Sequence, residues 1–482
     1  MDRRRFITQG AGTVLATMAS RFAHTRAQPE TDVIVIGAGL AGLQTALLLE
    51  EQGLNVLILE ARQRVGGRVY TLFDLPGHPE AGGNSCANAY GRFISAAARH
   101  GLELVNLAPR VMGKLGQREL FLAREHIPLA QWADHPSNPF TGEQRAVPPW
   151  LWASAMLGAH RPFEDLQRWA DPQYGEFDIS MHSFLRRIGA NDAMIRLGYD
   201  TNIAYGTTSH DVSLLMQVFA DYWQNVNRDV AGRGTPLIGA IKGGNQNLPM
   251  AMARALRGDL MLGEEVVAID VGDKTTRVKC RDGRQYRARA VVASLPFSTL
   301  RHVAIDPLPD AAKLEAIQTL GYIPVTQFHV VARRPFWEDD GLAPSMWTDG
   351  PAGMVLAQRF GKRDDEVTSL TVWARGLNAL ALDRLGTEGA SQRVIAELET
   401  LRPAAKGRLR VAAVQSWAQD PFSAGDWAIF GPGQVRAFAH DLAKPHGRLY
   451  FCGEHTALAS RGMEGALESA ETAALQVLTD LA

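Results

Sequence analysis

The chain has 482 residues, 46% of them hydrophobic, and a formal net charge of −1. That length supports about two domains of ordinary size, and the near-neutral balance excludes the basic footprint of a nucleic-acid binder or of a protein held to anionic lipid by charge. Cys86, Cys280 and Cys452 show neither a pairing pattern nor metal-ligand spacing, so free buried thiols and no metal are expected.

The chain opens on Arg3-Arg4-Arg5-Phe6-Ile7, followed by a mildly apolar stretch from Gly10 to Ala19 and by Thr25-Arg26-Ala27. This is the pattern of a twin-arginine export signal over residues 1–27, too short and too weakly apolar for stable membrane insertion. It predicts the twin-arginine export machinery as a partner and a periplasmic mature chain beginning near Gln28.

Val33-Ile34-Val35-Ile36 is a short apolar, β-branched run, the mark of a buried parallel strand. Gly37, Gly39 and Gly42 follow at the spacing of a dinucleotide fingerprint. Gly37 permits the tight turn, Gly39 lets backbone approach a pyrophosphate, and Gly42 lets the next helix pack on the strand. That helix, predicted from Ala41 to Gln52 with Gly53 at its end, aims its N-terminal N–H groups at the phosphates. A second buried strand, Val56–Leu59, ends at Glu60, about twenty residues past the glycines, where a carboxylate takes ribose hydroxyls. Arg62, Arg64, Gly66, Gly67 and Arg68 come directly after, suiting backbone and guanidinium contacts to a pyrophosphate that stays bound. That extension points to FAD rather than NAD.

Downstream, helical periodicity is predicted at Met181–Ile188 and Val212–Trp223 and near Ser391–Thr400. Strand-like runs are predicted at Val266–Asp270, Thr276–Cys280 and Arg287–Ser294, and again at Thr326–Ala332, Ser369–Trp373 and Arg410–Ser416. The chain closes with Leu449-Tyr450-Phe451-Cys452-Gly453-Glu454 and Gly462-Met463-Glu464-Gly465-Ala466. The two ends together are expected to form one nucleotide site. The fold class is therefore α/β, a Rossmann-type FAD-binding domain with a doubly wound sheet, interleaved with an α+β substrate domain. Residues 31–105, 235–300 and 420–482 are assigned to the first, and residues 106–234 and 301–419 to the second.

With these motifs the chain resembles the flavin-containing amine oxidase family, which includes monoamine, polyamine and nicotine-type amine oxidases and L-amino acid oxidases. The resemblance implies that Glu80-Ala81-Gly82-Gly83-Asn84 passes beside the flavin ring, with Gly83 and Asn84 as contacts. It implies that Gly243–Leu248 leads into a strand whose Val266 and Val267 meet the adenine, and that Glu454 reaches the ribityl-phosphate region. The helix from Met463 would direct an N–H at the flavin O2 edge, stabilising charge on the reduced ring. In that family two aromatic rings flank the substrate nitrogen. Trp427 falls on one position and Gly462 on the other, so the cage is half built. The residue before the first ring is a flavin-bonded cysteine in monoamine oxidases, and here it is Asp426, which implies FAD held without a covalent link. The family's water-holding lysine aligns with His302.

The implied function is FAD-dependent removal of hydride from the carbon next to nitrogen of a small-molecule amine, giving an imine that hydrolyses. Oxygen or a redox protein would then accept the electrons. The loop Gly82–Tyr90 lacks the arginine with which L-amino acid oxidases of the family anchor a carboxylate, so an amine without one is expected. Arg92 is expected to begin a helix instead. An L-amino acid oxidase, a flavin-dependent desaturase or isomerase of a hydrophobic substrate, and a flavin-bearing binding protein without turnover remain as alternatives.

Overall fold

The computed structural model describes residues 31–231 and 237–482, so the export-signal reading of residues 1–27 lies outside the described residues. The N-terminal pattern folds as its spacing dictates. Strand β1 (Val33–Ile36) is wholly buried, and helix α1 (Leu40–Glu51) follows at once. Strand β2 (Val56–Glu60) returns beside β1, with Ile34 level with Leu57 and Ile36 with Leu59. The turn between α1 and β2 uses Gly53 at φ +85°, a conformation that favours glycine.

Later strands complete the sheet. With β3 (Leu260–Leu262), β4 (Ala290–Ala293) and β5 (Leu449–Phe451) the order is β3-β2-β1-β4-β5, every neighbour parallel. This is the doubly wound arrangement, in which ligands sit outside the carboxyl ends of the strands. The closing helix α2 (Gly462–Leu481) lays Leu467, Ala473, Ala474 and Val477 into the same core as Leu43, Ala46 and Leu49 of α1. Thus the last segment of the chain packs on the first.

One predicted strand is divided. The run Arg287–Ser294 serves two sheets, because Gln285–Ala288 pairs antiparallel with Thr276–Cys280 while β4 joins the parallel sheet. A single extended run cannot show such a division, since burial on both faces starts only at Ala288. A second correction concerns Gly243–Leu248, which leads first into a helix, Asn247–Ala255, and only then to β3 and the strand Val266–Val271.

The second large sheet has seven strands, in the order 409–416, 325–332, 369–375, 354–358, 345–348, 118–122 and 125–127. Its strands Val325–Ala332 and Ser369–Arg375 pair antiparallel and bury Phe328, Val330, Leu370 and Val372 completely. Met181–Arg187 and Leu214–Ala231 are helical, as their periodicity indicates, and Gly386–Leu401 contains the helix expected near residues 391–400. Gly91–Arg99 is also a helix, so Arg92 lies in its first turn. Among the described residues no helix is long and apolar enough to cross a membrane.

Candidate active site

One cavity lies at the carboxyl ends of the parallel strands and extends to the segments 421–427 and 453–466. Its nucleotide end is walled by Gly37, Gly39 and Ala41 from the first turn, by Glu60, Arg62, Gly67 and Arg68, and by Val266 and Val267. Its far end is walled by Gly83, Asp426, Trp427, Glu454, Gly462 and Met463. His302 borders it beside Thr299 and Val303, with its side chain exposed.

The glycines divide the work. A Cβ on Gly39 would meet nothing within 4 Å, so the backbone at the N-terminus of α1 faces open space. The first N–H groups of α1 have no acceptor inside the helix and present partial positive charge there. A Cβ on Gly42 would instead stand 2.0 Å from the carbonyl oxygen of Gly37, which explains why Gly42 packs helix on strand and does not line the cavity. Glu60 is buried. Its Oε2 accepts from the Ala38 amide at 2.7 Å and its Oε1 from the Arg62 amide at 2.8 Å, so the carboxylate is fixed at the strand end before any ribose arrives.

Two arginines tie the N-terminal segment to the segment 417–428. Arg62 Nη2 donates to Asp420 Oδ1 at 2.6 Å and to Ser423 Oγ at 2.8 Å. The expected role of Arg62 as a pyrophosphate contact is therefore joined by a structural one, with the guanidinium on the cavity wall but already paired. Arg68 Nη1 donates to Glu454 Oε1 at 2.9 Å and to the carbonyl of Asp426, and Glu454 Oε1 also accepts from the Ala428 amide at 3.1 Å. Asp426 and Trp427 are thereby positioned by both ends of the chain. Asn84 departs from expectation: its Nδ2 donates to the carbonyl of Glu80 at 3.1 Å, and it does not wall the cavity. Its side chain caps the preceding strand, a local hydrogen bond that short amides make readily.

Burial governs the titrating groups. Glu80 accepts from the Asn245 amide and the Thr71 hydroxyl, yet burial pushes its carboxyl up to about 8. Asp426 is pushed up to about 6, again by burial, against the opposing pull of Arg68. The three thiols are free and buried, and none of them walls the cavity.

Residues 40–478 match the model of the flavin containing amine oxidoreductase family. The chain belongs to that family. Similar proteins include a flavin-containing amine oxidase of Danio rerio, 26% identical over 93% of this chain and 85% of that protein. Flavin-containing amine oxidase B of Homo sapiens is 25% identical over 93% and 86%, and the L-amino-acid oxidase of Mus musculus 25% over 92% and 70%. Among solved structures, cyclohexylamine oxidase from Brevibacterium oxydans superposes with a TM-score of 0.74 at 22% identity, covering 94% of this chain and all of that one. Putrescine oxidase bound to putrescine gives 0.73 at 21% identity, covering 94% and 99%. As in other family members the cofactor is FAD, and the residues present fit it: an open backbone at Gly39, a fixed acid at Glu60 and one continuous cavity between them and Trp427.

Side chains outside the motifs gather around Trp427 and Gly462. Tyr205 stands nearly parallel to Trp427, ring centres 6.0 Å apart and planes at 22°. A Cβ on Gly462 would lie 3.9 Å from both the Trp427 ring and the Tyr90 hydroxyl, and Tyr90 in turn packs against Trp223 at 5.5 Å. The space left by Gly462 is therefore bordered by aromatic groups from other segments. Tyr205 sits in a stretch with no periodicity or motif, and its proximity to Trp427 is created only by tertiary folding.

Proposed function

We propose that this flavoenzyme oxidises a small amine at the carbon bonded to nitrogen, with FAD held non-covalently. The observation that carries the reading is the continuity of one cavity from Glu60 and Gly39 to Trp427, Gly462 and Met463. When bound, FAD supplies the electron sink for hydride removal. The chain supplies the rest. Trp427 and the neighbouring Tyr90 offer ring faces to the amine, and an apolar, water-poor setting disfavours its ammonium form. Met463, at the start of α2, brings a helix N-terminus to the same end of the cavity.

Non-covalent attachment is supported by Asp426 at the residue before Trp427 and by the absence of a thiol from the cavity wall. Acid precipitation of the purified protein should leave a white pellet and release all of the flavin, and a yellow pellet would refute this. Anaerobic mixing with a panel of amines tests the reaction itself: bleaching of the flavin supports it, and no reduction by any amine overturns it. Re-oxidation with oxygen or cytochrome c then distinguishes an oxidase from a dehydrogenase. The reading extends to the leader, in which Arg3-Arg4-Arg5-Phe6 would direct the folded, FAD-loaded protein to the periplasm by the twin-arginine route.

A further inference from the structure

Trp427 stands on the cavity wall with 36% of its surface exposed. Its backbone is fixed, since its carbonyl accepts from the Ile323 amide at 3.0 Å. The ring is less constrained. Its indole N–H has no acceptor among the described residues, and Gly462 beside it carries no side chain to brace it. A large ring on an open wall can change rotamer unless something behind it holds it.

Behind it stands Arg461, the residue before Gly462, only 6% exposed and off the cavity wall. Its guanidinium lies 5.0 Å from the Trp427 ring, 4.6 Å from Tyr205 and 5.3 Å from Phe219, and Nη1 donates to the Tyr205 hydroxyl at 2.8 Å. Tyr205 and Trp427 are nearly parallel, so one guanidinium sits against two rings of a single stack. The stack continues inward. Phe219 lies on Trp169 with centres 4.5 Å apart and planes at 9°, and the Trp169 indole donates to the Leu458 carbonyl at 3.0 Å. Leu458 is three residues before Arg461, so the inner end of the stack is tied to the segment that supplies the guanidinium.

A guanidinium is attracted to a ring face by the ring's quadrupole, more strongly where water is excluded, and its planar fork suits such stacking. Arg461 has no ion pair among the described residues, so the ring faces and the Tyr205 hydroxyl are its partners. The cation is thus buried where it fixes the ring on the wall.

We propose that Arg461 is a positioning residue for amine oxidation, holding the Trp427 ring, through Tyr205 and through its own contact with the indole, in the orientation against which the amine is set. The proposal rests on the amine-oxidation reading and adds to it a residue that does not itself meet the substrate.

The test uses whichever of benzylamine, phenethylamine and cyclohexylamine reduces the wild-type holoenzyme fastest. Anaerobic reduction over a range of concentrations separates the limiting rate from the apparent dissociation constant. Arg461→Met keeps length and bulk but loses charge and fork. It should lower the limiting rate about 2- to 10-fold, the range of a cation–π contact, and move the dissociation constant by less than about twofold. In a Trp427→Ala background the same substitution should change nothing further, because the ring on which it acts is gone. Arg461→Lys should recover part of the rate, since it keeps a cation but not the fork. Flavin content and thermal midpoint confirm that each variant is folded. A wild-type rate in Arg461→Met, or an equal loss in both backgrounds, overturns the proposal and leaves amine oxidation standing. If none of the three amines reduces the flavin, the oxidation reading falls, and aniline, which has no hydrogen on the carbon bonded to nitrogen, decides on the ring through its flavin difference spectrum. A spectrum altered by Arg461→Met when Trp427 is present but not in Trp427→Ala keeps Arg461 as the holder of the ring. No aniline spectrum, or the same alteration in both backgrounds, removes that role as well.

Discussion

Replacing Gly39 and Gly42 separately by alanine should dissect FAD binding from folding. At Gly42 the new methyl would lie 2.0 Å from the Gly37 carbonyl oxygen and 3.1 Å from Ser294 Oγ. Ordinary contact needs roughly 3.5 Å, so α1 would have to move more than about 1 Å from β1. Overpacking of this kind costs about 1–3 kcal/mol, and the obstacle here is backbone, which cannot swing aside. At Gly39 the methyl meets nothing within 4 Å, and the backbone already has φ −77°, which alanine adopts freely. Alanine is a poorer helix cap than glycine but restricts the unfolded chain, and the two effects oppose within about 1 kcal/mol. Gly39→Ala should therefore keep the urea midpoint of the apoprotein, whereas Gly42→Ala should lower it. FAD titration followed by flavin fluorescence should show Gly39→Ala weakened by about 10- to 100-fold, since the methyl displaces a charge-assisted backbone contact. Wild-type affinity in Gly39→Ala, or destabilisation equal to that of Gly42→Ala, would refute the assignment of Gly39 as the pyrophosphate seat.

Trp427→Ala should retain FAD, because the Arg68–Glu454 pair and Glu60 are untouched, but slow flavin reduction by about 2- to 10-fold, as expected for losing an aromatic contact of roughly 0.5–1.5 kcal/mol; stopped-flow rates equal to wild type would remove Trp427 from the substrate end. Glu80 gives a pH prediction. Burial raises its carboxyl from 4.5 to about 8, so between those values the folded state holds a proton that the unfolded chain has released. Stability contributed by this group accordingly falls as pH rises through that window, by at most roughly 5 kcal/mol. Glu80→Gln keeps an acceptor for the Asn245 amide and should flatten the profile, raising the urea midpoint more at pH 8 than at pH 5; parallel profiles would show that Glu80 is ionised when folded.

Local motifs made the nucleotide half legible. Gly37, Gly39, Gly42 and Glu60 each have a role fixed by short-range geometry, a tight turn, a close approach or a strand end, and short-range geometry is written in consecutive residues. The pairing of both chain ends was legible for the same reason, since the closing segment carries its own buried strand and helix start. Loop position does not say which way the Asn84 amide turns, and in the structure it donates to the Glu80 carbonyl. The run 287–294 was misread because alternation and full burial blend where a chain passes from one sheet to the next.

The sequence by itself therefore determined the parallel sheet, the dinucleotide turn and the acid at its edge, because each depends on neighbours within a few dozen residues. The surroundings of Trp427 were decided only by tertiary structure. Tyr205 and Arg461 come from distant segments, and neither sits in a pattern with meaning of its own. Their ring face and charge meet Trp427 only once those segments are packed against the nucleotide site, since electrostatic and aromatic interactions depend on distance in space and not along the chain.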